Sequence, residues 1–163
     1  MNKLFSRIAF ATILSFSLVL ASISAELDLK KEKEQANKIL ETYHRAIEKL
    51  DISNTFDLFS EDSQIYESGG DEGNYKHYAQ HHLIPELKEF KAFTFHKYKV
   101  DTQIDLPYAF STETYNFTIE LQNGKKIEME GLASSILRKT KEGWKIIKYH
   151  SSARGLKNQH SGH

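Results

Sequence analysis

The sequence predicts a two-layer α+β domain in which N-terminal helices lie against one curved antiparallel sheet. Three observations carry this. Apolar residues recur at three- and four-residue steps through the first half, the period falls to two from Ala92 onward, and the joints between the later segments are short. Helices first and strands afterwards is the order of an α+β rather than an alternating α/β chain.

The first element is a helix in "LDLKKEKEQANKILETYHRAIEKLD", because Ala36, Ile39, Leu40, Tyr43, Ile47 and Leu50 form one apolar stripe while Lys and Glu fill the other face. "ISNTFDLFSED" is read as a second, short helix with Ile52, Phe56 and Phe59 on one side, and "SQIYESGG" as a brief extended piece ending at Gly69 and Gly70. A third helix is expected to start at the N-cap residue Asn74. On its wheel Ala79, Leu83, Leu87 and Phe90 make a stripe, His77 and His81 face water, His82 sits at the stripe's edge and Glu86 near its centre. Pro85 cannot donate to the carbonyl of His81, so a kink or fresh start is expected there, with Pro85 as first helical residue. Four strands follow: "FTFHKYKVDTQID", "YAFSTETYNFTIEL", "KIEMEGLASSILRKT" and "WKIIKYHSSA". Their joints are "LP", the hairpin signal Asn123-Gly124, and "KEG". Consecutive antiparallel pairing is the expectation.

Residues 1–25 have the layout of a signal peptide: Lys3 and Arg7, an apolar run from Ile8 to Leu20, and "ASISA" ending at Ala25. Cleavage near Ala25, or after Ser24, would release a periplasmic or secreted chain with no stable membrane insertion. The apolar run is broken by Thr12, Ser15 and Ser17 and is short for a span of about 20 residues. Residues 26–155 are expected to form one domain and 156–163 a flexible tail. The 22 basic and 22 acidic residues balance, and loss of Lys3 and Arg7 leaves a slight acidic surplus. Nothing in that balance favours nucleic acid or an anionic membrane. With no cysteine, the exported chain has no disulfides and must hold by packing alone, for which ten Phe and eight Tyr supply the bulk.

The order helix, short helix, helix with a proline, then four strands ending in "GWKIIKYHSSAR" resembles the NTF2-like superfamily, the cone-shaped α+β fold that includes SnoaL-like and ketosteroid-isomerase-like proteins. The pieces "HHLIPEL" and "WKIIKYHSS" resemble its small exported bacterial members. The resemblance implies three N-terminal helices packed on a curved antiparallel sheet of about four long strands, a pocket between the layers, and a homodimer through the outer sheet face. It does not imply one reaction. The tyrosine and paired aspartates of ketosteroid isomerases find no aspartate at a clear pocket position, since Asp101 and Asp105 sit near a strand end. An aspartate, arginine, aspartate set of the epoxide-hydrolase kind is poorly served by Arg138 and Arg154. The histidine pair of scytalone-dehydratase-like members could be imitated by His82 and His150.

From the residues themselves a convergent set emerges. His82, His150 and Glu67 are the candidate proton-transfer groups, and Tyr66, Glu86, Tyr115 and Glu130 the candidate ligand-binding groups. Histidine moves protons in either direction near neutral pH, and a carboxyl in an apolar cone is pushed up by desolvation. The competing account is that His82 and Glu86 serve the kinked helix and that Glu130 faces outward. Alternation leaves the face of His150 undecided; in resembling proteins the "HSS" segment reaches the pocket, so His150 is expected to line it. His77 and His81 stand one turn apart but lack a third fixed ligand, so no metal and no cofactor are expected. The leading function is binding of a small, partly apolar molecule. The alternatives are an acid/base isomerase or dehydratase using His82, His150 and a carboxylate, and a structural dimer with a cone filled by its own aromatics. A cavity of about 300 Å³ separates the ligand readings from the filled cone.

Overall fold

The computed structural model describes residues 26–156, so the expected leader and the tail beyond Leu156 lie outside the described residues. Helix α1 covers residues 26–48 and buries Ala36, Leu40, Tyr43 and Ile47, the stripe its periodicity marks. Within the expected second helix only one 3₁₀ turn forms, Phe56–Leu58. Strand β1, Phe59–Glu67, then runs into the hairpin partner β2, Gly70–Gly73. The three-residue spacing of Phe56 and Phe59 suits a helix, but Phe59, Ser63 and Ile65 turn inward on a strand while Phe56 is exposed.

The third helix starts where expected: the Asn74 side chain accepts from the His77 amide at 2.9 Å. It is broken, running as α2 (Tyr75–Tyr78), a π turn (Ala79–Leu83) and α3 (Ile84–Glu89). The restart falls at Ile84, with Pro85 second. A wider turn just ahead of Pro85 absorbs the missing amide donor.

Strands β3 (Phe90–Asp105), β4 (Tyr108–Leu121), β5 (Lys126–Thr140) and β6 (Gly143–Gly155) follow in antiparallel sequence. The β4–β5 hairpin closes at Asn123-Gly124, with Gly124 at φ +82°. The sheet thus has six strands, not four, in the order β2-β1-β6-β5-β4-β3, and it is mixed because β1 pairs with β6 in parallel. The α+β architecture stands, with α1 and the broken helix against the concave face.

Register decides which residues face the helices. On β4 the odd positions Ala109, Ser111, Glu113 and Tyr115 are buried; on β5 Ala133, Ser135 and Leu137 match them. Gly131 lies opposite Tyr115, and a Cβ there would stand 2.2 Å from the tyrosine ring, so only glycine lets that ring lie flat across the strand. On β6, Leu137 pairs with Ile146 but Ile136 with Lys148, so Ile147 is an extra, bulged residue. The outermost strand β3 is tied to α1 by its Phe95 amide, which donates to Glu48 Oε1 at 2.9 Å.

Candidate functional site

Between the helices and the concave sheet lies a cavity of about 160 Å³. Tyr43 and Ile47 of α1 with Leu83 and Leu87 of the broken helix roof it, and Phe93, Phe95, Tyr115, Phe117 and Tyr149 form its sheet wall. It falls short of the 300 Å³ expectation, because aromatic rings occupy much of the cone, so by that criterion the cone is largely filled and room is left only for a body of about one ring. Its open end is polar and includes Glu67 and Glu86.

Glu67 ends β1, just before a turn in which Ser68 (φ 48°) and Gly69 (φ 92°) adopt left-handed geometry. Tyr78 reaches back from α2, and its hydroxyl donates to Glu67 Oε2 at 3.0 Å. His82, in the π turn, sets Nε2 3.4 Å from the same oxygen and 3.2 Å from Glu86 Oε1, while Nδ1 lies 3.2 Å from Glu72 Oε2. Both ring nitrogens therefore face acceptors, an arrangement only the imidazolium satisfies fully. Burial pulls the His82 imidazole down, but the bond to Glu72 and the charges of Glu86, Glu67 and Glu72 outweigh it and hold it above its usual 6.5. Burial pushes the Glu67 carboxyl above its usual 4.5, offset in part by Tyr78 and His82 and reinforced by Glu86 and Glu72. The result is a half-buried carboxyl in contact with an imidazole whose protonated form is favoured and with a neutral phenol. Such a set can hold, give or accept one proton.

A second polar cluster lies behind the Phe95 and Tyr115 wall. The fully buried Glu113 accepts from the Tyr98 hydroxyl at 2.7 Å and more weakly from Ser135 Oγ at 3.4 Å. His44 Nε2 stands 2.8 Å from Glu113 Oε2, an ion-pair contact without the alignment of a hydrogen bond, and its Nδ1 has no partner among the described residues. The imidazole is enclosed by the rings of Phe95, Tyr98 and Tyr115 at centroid distances of 4.4, 4.6 and 5.2 Å. Burial and then the Glu113 carboxylate push the Tyr98 phenol far up. Sequence reasoning passed over this cluster, although two signals marked it. Glu113 shares the inward parity of Ser111 and Tyr115, and His44 follows Leu40 by one helical turn on the apolar stripe.

Of the expected site residues, the structure brings together His82, Glu67, Glu86 and Tyr115. His150 is a correction. The bulge at Ile147 turns Tyr149 inward and His150 outward, where it is exposed on the outer sheet face with Tyr66, ring centroids 6.5 Å apart. Glu130 is likewise on the outer face, paired with Arg154. Tyr66, His150 and Glu130 therefore do not join the cavity. His77 and His81 are exposed, and their ring centroids are 4.5 Å apart. Among the described residues no group of three or more His, Cys, Asp or Glu is arranged to hold a metal ion.

Comparison with known proteins gives a consistent result. Residues 36–154 match the sequence profile of the SnoaL-like domain. The fold is similar to that of an NTF2-like superfamily protein from Salmonella enterica serovar Typhimurium, at 19% identity and TM-score 0.70, covering 82% of this chain and 99% of that one. It is also similar to an NTF2-like protein with a cystatin-like fold from Novosphingobium aromaticivorans (14% identity, TM-score 0.66, 86% of this chain and 92% of that one). A ketosteroid isomerase-like protein from Erwinia carotovora atroseptica matches at 17% identity and TM-score 0.61, covering 74% of this chain and 94% of that one. No curated protein matches.

Proposed function

Because this chain belongs to the SnoaL-like domain family, whose fold serves ligand binders, isomerases and dehydratases alike, we propose that its cone binds one small, partly apolar molecule. The observation that carries this reading is the aromatic cavity of about 160 Å³ with a carboxylate-bearing open end. A space of roughly 150 Å³ lined by apolar side chains accommodates benzene, so the ligand body is about one six-membered ring in size. Tyr115 contributes wall, and Glu67 and Glu86 the polar end. The leader read in residues 1–25 favours action outside the cytoplasm, and the exposed Phe110 and Leu132 of the outer sheet face favour a homodimer.

The test is a thermal-shift and titration screen of the full chain against single-ring compounds. Leu87→Trp, which fills the space from the helix side, should abolish any binding found. A native chain that binds none of them is a structural cone.

The enzymatic alternative draws on one observation, the raised Glu67 carboxyl in contact with His82. In that reading Glu67 takes a proton from a bound substrate and His82 holds the resulting charge, without His150. A pH-rate profile that survives Glu67→Gln would eliminate it.

A further inference from the structure

The cavity has a one-sided charge. Glu67 and Glu86 stand at its open end, and its lining contains no lysine, arginine or histidine. Glu67 Oε2 is engaged by Tyr78 and His82, whereas Oε1 has no partner among the described residues. Glu86 uses only Oε1, on His82 at 3.2 Å. His82 is shared with a third carboxylate, Glu72, at 3.2 Å. One imidazole thus faces three carboxylates, and the mouth stays negative even when that imidazole is charged. The rest of the lining is largely aromatic, and its remaining polar side chains are the neutral hydroxyls of tyrosine and serine.

We propose, building on the binding reading above, that the ligand is a small primary amine carrying its proton, on a single-ring or short aliphatic body. An ammonium at the mouth would donate to Glu67 Oε1 and to the free Glu86 oxygen as charge-assisted bonds. A carboxylate or phosphate ligand would instead meet two like charges with no cation among the lining residues. A neutral alcohol gains a hydrogen bond but no charge pairing. The cavity volume of about 160 Å³ confines the body to about one ring.

Isothermal titration of the full chain at neutral pH and low salt with benzylamine, benzyl alcohol, toluene and phenylacetate tests this. Benzylamine should bind about tenfold tighter than benzyl alcohol, which corresponds to about 1.4 kcal/mol, with phenylacetate weakest. Glu67→Gln should bring the amine-to-alcohol ratio close to one, and Glu86→Gln should lower it in part, melting curves confirming that both fold. If benzyl alcohol or toluene equals benzylamine, or phenylacetate exceeds it, the amine preference is wrong while the binding cavity stands. If none of the four binds, the binding reading falls with it. Should a glutamine variant unfold, the ratio in the native chain still decides.

Discussion

Glu113 is a carboxylate with 0% exposure, and its partners are a phenol, a hydroxyl and an equally enclosed imidazole. Taking a charge out of water is tolerated only where partners compensate, and removing one partner of a buried pair costs about 3–5 kcal/mol. Glu113→Ala should therefore lower the unfolding free energy by about that amount in a urea titration. Combining it with His44→Phe should restore part of the loss, because no orphaned polar ring then remains. The candidate site was partly readable at this scale. His82 and Glu86 follow from the wheel and Glu67 from its place beside the double glycine, whereas of the two sheet candidates, Tyr115 and Glu130, only Tyr115 faces inward. His44 and Glu113 obey the same periodicities, but a titratable residue on an apolar stripe is easily assigned to solvent when its partner lies 69 positions away on another element.

Among elements, the π turn and the β6 bulge do most to shape the site. The turn carries His82 to a position where three carboxylates meet it, and both His82 and Glu67 are raised above their ordinary values. A raised imidazole stabilises the fold fully below its unfolded value and loses that contribution as pH climbs through the folded one. A raised carboxyl penalises the fold as it ionises, again as pH climbs. The two effects share a sign but not a window: the Glu67 contribution is lost as pH climbs above about 4.5 and the His82 contribution as it climbs above about 6.5, so the melting temperature should fall with rising pH and His82→Gln should flatten the part of the slope above about pH 6.5. The inward expectation for His150 rests on the resemblance, since alternation leaves its face undecided, and the bulge is what turns it outward. One extra residue exchanges the faces of everything after it, and nothing in "WKIIKYHSS" announces the insertion. Likewise only the second half of β1 is legible, as the extended piece "SQIYESGG", because Phe56 and Phe59 fit a helix and the pairing that extends the strand is with β6, far along the chain.

For the whole molecule, the helices and the concave face enclose the cavity and leave the convex face bare. Phe110 and Leu132 are exposed there at 44% and 45%. A self-complementary contact on this face would satisfy two-fold symmetry and cover both. Light scattering after gel filtration should give twice the chain mass, and Phe110→Asp with Leu132→Asp should give the single mass with an unchanged circular dichroism spectrum. The other border of the sheet raises a different matter. Strand β3 is sixteen residues long and pairs on one side only, which is the geometry on which a foreign strand can nucleate fibre growth. Its backbone register slips between His96 and Lys99, Lys97 is left-handed, and Lys91, Lys97 and Lys99 are exposed along it. The Glu48 carboxylate already holds one of its amides. Irregularity, charge and that single clasp make the border a poor template, so a protein with no disulfide to fall back on keeps its longest open strand from recruiting copies of itself.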